Sequence, residues 1–304
     1  MLLLSWNIHF QSLPGQLQNV IEAIRSVSPD ILTLQEVKTS LADDVAHRLA
    51  DIGLVHAHCS GKNVPPTAMR KPPRVGRLKR VKPKDYQCLI ASRWPVTAAG
   101  SRWRRSAPFP ELLARAKVFL PDGQEIDLFT VHIPNGSGNG WRKIDTFNVL
   151  SAALRRGNDS PRILTGDFNE PKRFRQSGQI VPFGEKIHED KGTSIRGYHT
   201  KFKDRRPNME RVNGVRSVLA GASQHGLRDA YRDRHGVETA TPVTHRTLKN
   251  PRCFDHTFVS RHFEIVDCGY YHEWRKKRWS DHSAMWTRLS LRENVPELSE
   301  WEVD

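Results

Sequence analysis

The segment ILTGDFNE, at residues 163–170, joins a short apolar run to a cluster of polar side chains. The run predicts a buried strand, and Asp167 and Asn169 follow it directly. Towards the amino terminus, three more apolar runs end in the same way: 128–131 is followed by His132, 31–35 by Glu36, and 2–6 by Asn7.

The order of apolar and polar residues is reversed in the last part of the chain. Asp255 precedes the apolar run 257–259, and the pair Asp281-His282 precedes 284–286. If the first four strands point their carboxyl ends at one edge, the last two must run the opposite way to bring their polar residues there. The pattern therefore predicts mixed or antiparallel sheets with two amides, two histidines and four carboxylates at one edge.

Four carboxylates that converge in one place repel each other unless a cation lies among them. Oxygen ligands without a thiolate cluster suit Mg²⁺ or Mn²⁺ better than zinc. Each of these residues alone has a simpler structural explanation, because Asn and Asp are common in the turns after strands. The ordered set of all eight favours a metal-dependent active site.

The composition indicates a polyanionic partner. The 304 residues include 48 Lys+Arg and 33 Asp+Glu, which gives a net charge of +15, and a positive field of this size favours nucleic acid, acidic lipid headgroups or small phosphates. A basic surface kept for solubility is the alternative. The segment 62–84 contains nine Lys or Arg, five Pro and no acidic residue, which predicts an irregular cationic insertion.

Cysteine spacing and hydropathy favour a cytoplasmic protein, and the lack of a linker that divides the chain favours one domain. The four cysteines form no C-x-x-C pair, the first residues are too short for a signal peptide, and no apolar run approaches the roughly 18 residues of a membrane span. Apolar spacing predicts helices over about 16–27, 41–52 and 141–155. We expect one domain over 1–290, an acidic tail over 291–304 and no protein partner.

Six motifs resemble those of the endonuclease/exonuclease/phosphatase superfamily, the metal-dependent phosphoesterases similar to exonuclease III and DNase I. In the order of that family they are SWNIHF (5–10), LQEVK (34–38), VHIPNG (131–136), TGDFNE (165–170), FDHTFVS (254–260) and SDHSAMW (280–286). The resemblance implies an α/β fold, a four-layer α/β sandwich in which two mixed β-sheets lie face to face and helices flank them. This agrees with the strand directions argued above.

The resemblance also implies roles for individual residues. Glu36 is the first expected metal ligand, Asn7 lies beside it, and Asp281 is the additional ligand. Asp255 and His282 resemble the family's Asp-His dyad, in which the carboxylate favours a protonated imidazole that can contact the phosphate. Because adjacent residues on a strand face opposite sides, the motif requires residues 280–282 to form a loop.

Asp167 and Asn169 are two residues apart, so in an extended chain both face one side and can address one phosphate. Asp167 is the expected general base, or the group that protonates the leaving oxygen, and Asn169 would orient the water or donate to a phosphate oxygen. His132 and Asn135 are expected to line the phosphate pocket.

The sequence leaves three functions open. The first is a nuclease acting on DNA or RNA, whose substrate-binding residues would include Arg77, Lys79, Arg80 and Lys82 in the insertion. This is favoured because basic residues at 102–105 and 275–278 alternate with tryptophans that could stack on bases, although these could also be core residues beside a solvated basic face. The tryptophans are Trp94, Trp103, Trp274 and Trp279.

The alternative is a phosphatase or phosphodiesterase acting on small-molecule or lipid phosphoesters such as inositol phosphates. The third is a nucleic-acid-binding protein without catalysis, against which the complete set of motif carboxylates argues. Arg252 and Ser283-Ala284 replace the Trp and Cys-Pro that are usual in the family's abasic-site enzymes, which puts abasic-site specificity in doubt.

Several other polar residues are not expected to take part in catalysis. The segment GSGNG at 136–140 lacks the Lys-Ser/Thr of a P-loop and is predicted to be a flexible loop at the site. Six histidines lack ligand spacing and are predicted to be surface or satisfied core groups: His9, His47, His56, His58, His225 and His235.

Replacing Arg77, Lys79, Arg80 and Lys82 with Ser should flatten the salt dependence of kcat/KM on an oligonucleotide. Each lost phosphate contact removes about 0.9 from the log–log slope on duplex DNA and less on single strands. The metal requirement should stay the same. The kcat/KM for a small inositol phosphate should fall far less than the kcat/KM for the oligonucleotide. Equal slopes for wild type and variant would show that the insertion does not contact nucleic acid, and would favour the phosphatase alternative.

Overall fold

The computed structural model describes residues 1–9, 15–62, 64, 83–155, 160–188, 192–196, 206–220, 222–247 and 250–296. The strands in these ranges are β1 (Leu2–Asn7), β2 (Ile31–Lys38), β3 (His56–Cys59), β4 (Tyr86–Ser92), β5 (Val96–Ala98), β6 (Leu113–Phe119), β7 (Glu125–His132), β8 (Arg162–Asp167), β9 (Arg173–Phe174), β10 (Ile180–Val181), β11 (Glu185–His188), β12 (Gly192–Ile195), β13 (Leu227–Asp229), β14 (His245–Thr247), β15 (Asn250–Arg252), β16 (Asp255–Ser260), β17 (Phe263–Tyr271) and β18 (Ala284–Leu291).

The α-helices are α1 (Gln16–Val27), α2 (Ala42–Ala50), α3 (Gly136–Asn139), α4 (Trp141–Leu154), α5 (Asn208–Leu219), α6 (Ala222–His225), α7 (Ala230–His235) and α8 (His272–Lys276). Short 3-10 turns occur at Thr39–Leu41, Ser101–Arg104 and Pro110–Leu112. Among the described residues, no helix is both long and apolar enough to cross a membrane.

Two six-stranded mixed sheets form the centre of the fold. Sheet A has the order β17-β18-β1-β2-β4-β3, and sheet B has the order β13-β16-β8-β7-β6-β5. β1 and β2 are parallel, as are β7 and β8, whereas β18 and β16 run antiparallel to β1 and β8. The predicted reversal of direction in the last strands is therefore confirmed.

Alternation of side chains along the strands produces the layers. On β1, Leu3 faces the other sheet and Leu4 faces the helices, and Ile31 and Leu32 do the same on β2. Helices α1 and α2 cover the outer face of sheet A, and α4 and α5 cover the outer face of sheet B. A third core fills the space between the sheets. The result is the predicted four-layer α/β sandwich.

The three predicted helices are present as α1, α2 and α4, and the elements that were not predicted include α5 and β17. Helix α5 was missed because it is polar and contains a glycine, and the edge strand β17 because its residues alternate weakly between buried and partly exposed positions. The predicted loop at 136–140 instead begins with helix α3.

The first residues of the acidic tail contact the rest of the domain. β18 extends to Leu291, and the Arg261 guanidinium donates to the carbonyl of Pro296 at 2.7 Å. The insertion residues 65–82 and the last residues, 297–304, lie outside the described residues.

The space between the sheets changes from apolar to polar towards one edge. An apolar layer consists of Leu3, Ile31, Leu128, Ile163 and Val259. Two residues further towards that edge, each strand carries a hydroxyl side chain: Ser5, Thr33, Thr130, Thr165 and Thr257. The amide of Gln35 joins the two sheets by donating to Thr130 Oγ1 at 2.9 Å and to Ser5 Oγ at 3.3 Å. This polar layer supports the motif residues above it.

Gly166 permits the close approach of β7 and β8 just before Asp167. It pairs with Val131 and has φ 136°. A Cβ on Gly166 would lie 2.1 Å from the Val131 carbonyl oxygen, a contact with backbone that cannot move aside. Glycine is therefore required at this position.

Gly166→Ala should lower the melting temperature strongly, because the strands must separate where Asp167 and His132 are positioned. Gly123→Ala is the matched control: Gly123 also has positive φ, 85°, but nothing lies within 4 Å of its Cβ position. The control should lower the free energy of unfolding by about 1 kcal/mol, from backbone strain alone. Thermal denaturation of both variants measures the difference, and similar losses would show that the contact with Val131 is unimportant.

Candidate active site

A cavity of about 930 Å³ opens at the edge where the polar layer ends. Two predicted residues, Asn7 and Asp255, lie behind its wall and reach it through hydrogen bonds to lining side chains. The predicted residues that line it directly are Glu36, His132, Asn135, Asp167, Asn169, Asp281 and His282. The structure thus brings together every predicted site residue outside the insertion.

Asp167 and Asp255 face each other across β8 and β16, and His282 lies between them. His282 Nδ1 is 2.9 Å from Asp255 Oδ2, and its Nε2 is 3.7 Å from Asp167 Oδ2. Burial alone would lower the pKa of His282, but the charges of Asp255 and Asp167 outweigh it and raise the pKa to about 10. The imidazole is therefore protonated at neutral pH.

Asp167 is almost fully buried at the centre of the cluster. Burial raises its pKa, and the charges of His282 and His132 partly offset this effect. Its carboxylate accepts hydrogen bonds from the Asn7 amide at 3.0 Å and from the backbone N–H of Asn169 at 2.8 Å. A carboxylate held in this way with a raised pKa is suited to proton transfer.

Glu36 reaches the edge through an irregularity in β2. The strand continues to Lys38, and its pairing with β4 shifts register between Leu34 and Val37. Glu36 has φ 59°, so its side chain turns to the cavity, while Val37 remains in the core between sheet A and helices α1 and α2. Burial would raise the pKa of Glu36, but the contacts with His9, His132 and the Asn7 amide lower it to about 2.

Asn169 faces the cavity in a conformation that was not expected. The prediction of an extended chain after Asp167 is wrong, because Asn169 has φ 50° and its backbone folds back onto the Asp167 carboxylate. The buried Lys143 Nζ donates to the Asn169 carbonyl at 2.7 Å and lies 2.8 Å from Glu170. This turn holds Asn169 Nδ2 2.9 Å from the Ile133 carbonyl.

The segment 280–282 forms the predicted loop before β18. Ser280 Oγ donates to the Asn7 carbonyl at 2.6 Å, and the Trp6 indole donates to the His282 carbonyl at 3.1 Å. These bonds join the first strand to the last loop. They allow the adjacent Asp281 and His282 both to line the cavity.

His132 and Asn135 lie on the opposite side of the cavity. His132 Nε2 is 3.6 Å from both Glu36 Oε1 and Asp167 Oδ2. Asn135 is the N-cap of α3, with its Oδ1 accepting from the Gly138 N–H at 2.9 Å. The prediction of a flexible loop at this point is wrong, because this cap begins a helical turn.

Two histidines that were not predicted for the site, His9 and His245, also line the cavity. His9 Nδ1 is 3.3 Å from Glu36 Oε2 and 3.6 Å from Asp281 Oδ1, so the prediction that His9 lies outside the site is wrong. His245 Nε2 is 3.5 Å from Asp281 Oδ2. The position of His9, two residues after Asn7, was the available signal; nothing in the sequence indicated His245.

The tryptophans and Arg104 have structural roles. All four tryptophans pack against the cores, and Trp274, for example, lies 4.7 Å from the ring of Trp6. The Arg104 guanidinium is buried and donates to the carbonyls of Ser60, Pro110 and Leu113. The prediction that Arg104 belongs to a basic binding surface is therefore wrong. The substrate-binding residues Arg77, Lys79, Arg80 and Lys82 lie outside the described residues.

Comparison with known proteins agrees with this geometry. The sequence profile of the Endonuclease/Exonuclease/phosphatase family matches residues 4–282. No curated protein sequence matches the chain. The chain belongs to the endonuclease/exonuclease/phosphatase family, whose members are hydrolytic phosphoesterases and are generally dependent on divalent metals.

Solved structures share the fold at low sequence identity. An AP endonuclease from Archaeoglobus fulgidus has a TM-score of 0.65 and 17% identity, over 96% of this chain and 100% of the other. The 3′ phosphatase NExo from Neisseria, bound to a product DNA hairpin, has a TM-score of 0.60 and 22% identity, over 95% of this chain and 99% of the other. The human Nocturnin catalytic domain has a TM-score of 0.58 and 16% identity, over 96% of this chain and 93% of the other.

Asp255→Asn should lower the pKa of His282 from about 10. The variant removes the largest charge that raises this pKa and leaves the burial that lowers it. Imidazole chemical shifts followed by NMR across pH in the metal-free protein measure the change. Asp229→Asn is the matched control, since Asp229 lies 3.2 Å from a different histidine, His256, and should leave the titration of His282 in place. A His282 pKa that stays near 10 in Asp255→Asn would contradict the assignment.

Proposed function

We propose that this chain is a divalent-metal-dependent phosphodiester hydrolase that acts on nucleic acid, DNA or RNA. The arrangement around Asp167 carries the proposal. An imidazolium, His282, lies 3.7 Å from this buried carboxylate, and the Asn7 amide links it to Glu36 at 3.2 Å. Hydrolysis of a phosphodiester needs neutralised phosphate oxygens, an aligned water and a stabilised leaving oxygen, and this cluster provides groups for the first two.

Glu36 and Asp281 are the residues that would hold the cation, Mg²⁺ or Mn²⁺. Glu36 Oε2 and Asp281 Oδ1 are buried, and their only polar contacts among the described residues are the ion pairs to His9 Nδ1 at 3.3 and 3.6 Å. Buried carboxylate oxygens with no other partner are costly, so the two oxygens fit a hard cation. Such a cation, when bound, neutralises charge on a phosphate oxygen. Asn7 directs its amide nitrogen at the carboxylates, and its role as a ligand stays a prediction.

In this proposal the oxygen of the attacking water bonds to phosphorus and its proton passes to Asp167. The bond from phosphorus to the leaving oxygen breaks, and that oxygen takes up a proton from solvent. The Asn7 amide and the Asn169 N–H hold the carboxylate in one orientation, and its raised pKa brings its basicity closer to that needed at neutral pH. Asn169, fixed by the turn on Lys143, is placed to orient that water.

His282 donates from Nε2 to a phosphate oxygen. Asp255 accepts from Nδ1, so it fixes the ring and keeps it protonated. His132, on the other side of Asp167, contributes a second imidazole towards the phosphate. In this scheme the phosphate lies between His282 and the carboxylates Glu36 and Asp281.

Charge supports nucleic acid as the substrate. The net charge of +15 and the basic segment 62–84 favour an extended polyanion over a single phosphate, and NExo is bound to a product DNA hairpin. The tryptophans add no support, since Trp274 is buried and the other three are partly buried and pack against the cores. The four cysteines are free and buried, as in a protein of the reducing cytoplasm, which we propose as its location.

A phosphatase of small-molecule or lipid phosphoesters, such as inositol phosphates, is the second candidate. The observation that favours it is the cavity itself, because about 930 Å³ lies within the range of small-molecule sites. A panel of single- and double-stranded DNA and RNA, with abasic-site and inositol-phosphate substrates, separates the two candidates. Turnover of the inositol phosphate alone would favour the phosphatase.

Activity should disappear with EDTA and return with added Mg²⁺ or Mn²⁺. Asp167→Asn should lower kcat by about a hundred- to ten-thousand-fold with little change in substrate binding, because it removes the base and keeps the shape. Steady-state kinetics on the best substrate of the panel measures both effects.

Asp51→Asn, at an exposed position after α2, is the control and should retain the wild-type rate. If Asp167→Asn keeps more than about a tenth of that rate, Asp167 is not the base. Full activity of metal-free protein in chelator would rule out the metal-dependent mechanism.

A further inference from the structure

The short helix α8 is followed by exposed positive charges next to the loop at 280–282. It connects the end of β17 to the start of β18, and β18 begins beside the end of β1. Helix α8 therefore lies at the same edge of sheet A as the cavity. Lys277 and Arg278 follow the helix directly and are exposed. Because Arg278 precedes Asp281 by three residues, their Cα atoms are at most about 11 Å apart.

Two tryptophans fix the backbone that presents these charges. The ring of Trp274 lies 4.7 Å from that of Trp6, and the Trp279 N–H donates to the Trp274 carbonyl at 3.0 Å. Between the two tryptophans, Arg278 has φ 60°, so the chain turns sharply there. Both tryptophans pack against the core between sheet A and its helices. The side chains of Lys277 and Arg278 are left exposed to solvent on an ordered turn.

A third cation, Lys84, lies at the cavity two residues before β4. Its side chain lines the cavity, and its backbone N–H donates to Glu111 Oε1 at 2.6 Å. In the part of the chain that the structure describes, Lys84, Lys277 and Arg278 form no ion pair with a carboxylate. These three charges are therefore available to an anion from outside the protein.

The order of strands in sheet A places these cations on opposite sides of the catalytic centre. Strands β4, β2, β1 and β18 are successive neighbours. Lys84 precedes β4 and α8 precedes β18, while Asn7 and Glu36 lie on the two strands between them. Three strand spacings of about 4.8 Å make a span of about 14 Å. One strand of a duplex has a phosphate per about 3.4 Å of axis, so this span covers about four phosphates.

We propose that Lys84 on one side, and Lys277 and Arg278 on the other, bind the phosphates that flank the scissile phosphate of a polynucleotide. The inference rests on the proposed function and deepens it, because it places the substrate backbone across the ends of β4, β2, β1 and β18. Cations without acidic partners suit a row of phosphates. Lys277 and Arg278 do not line the cavity, so a small phosphoester confined to the cavity would not contact them.

Binding of a fluorescently labelled single-stranded oligothymidylate tests this surface without turnover. Anisotropy is followed in EDTA at several NaCl concentrations. Each lost phosphate contact removes about 0.7 from the log–log slope on single strands, so Lys84→Ser should flatten the slope by about 0.7. The double variant Lys277→Ser/Arg278→Ser should flatten it by about 1.4, and the triple variant by about 2.1, because the contacts are separate.

Arg155→Ser/Arg292→Ser is the matched control. It also removes two exposed charges, but Arg155 follows the end of α4 and Arg292 follows the end of β18, both away from the cavity. Its slope should stay at the wild-type value. Lys277→Arg/Arg278→Lys keeps both charges and should keep the slope as well. Circular dichroism confirms that each variant is folded.

Steady-state kinetics of the metal-loaded enzyme gives a second measurement. The triple variant should raise KM for the oligothymidylate far more than it lowers kcat, because the flanking phosphates are bound equally in the ground state and the transition state. A fall in kcat at unchanged KM would contradict the assignment.

An unchanged salt slope in the triple variant, or an equal loss in the control, would overturn this inference and leave the metal-dependent hydrolysis intact. A variant that loses binding to phosphatidylserine vesicles but not to the oligothymidylate would also overturn it, and would assign the charges to an acidic membrane surface. Flattened slopes without turnover of any polynucleotide by the metal-loaded wild type would support the contact surface and overturn the proposed function.

Discussion

Two carboxylates meet at the centre of this structure, where antiparallel pairing places Asp167 directly opposite Asp255. Like charges opposite each other on neighbouring strands destabilise a sheet, more so when they are buried. His282 offsets this repulsion from a position between them. Because His282 belongs to the loop before β18 in sheet A, the charges of sheet B are balanced only when the two sheets are packed together.

The hydroxyl layer between the sheets makes this arrangement possible in a buried environment. Charged groups directly above an apolar core would lose their hydration without replacement. Here the polarity increases in steps of two residues along each strand; on β8, for example, Ile163 is followed by Thr165 and Asp167. Thr165 and Thr257 bond to each other at 2.8 Å, and Gln35 links the sheets. The hydroxyl layer therefore supports the charged residues of the site as well as the packing between the sheets.

Much of this organisation was predictable because strands have a fixed period. The ends of the apolar runs located Asn7, His132 and Asp167, and the reversed order around Asp255 indicated the antiparallel strands. Local backbone irregularities were not predictable in the same way. Glu36, Asn169 and His9 all have positive φ, and the direction of each side chain depends on a bulge or turn that is stabilised by residues distant in sequence.

Tertiary packing also determines whether Arg104 and the tryptophans belong to a binding surface or to the cores. Arg104 is part of a basic run in the sequence, yet its guanidinium donates to three carbonyl groups from two segments, one at Ser60 and the other at Pro110 and Leu113. The alternation of tryptophans with basic residues is equally compatible with core packing, and all four tryptophans pack against the cores. Only contacts between remote segments distinguish these possibilities.

The hydrogen bonds between Trp6 and His282 and between Ser280 and Asn7 join residues more than 270 positions apart. They have a consequence for translation. A nascent chain emerges from the ribosome with its amino terminus first, so β1 and its asparagine are synthesised more than 270 residues before the loop at 280–282 that bonds to them. Chains that end before residue 282 lack the imidazole that balances the paired carboxylates Asp167 and Asp255.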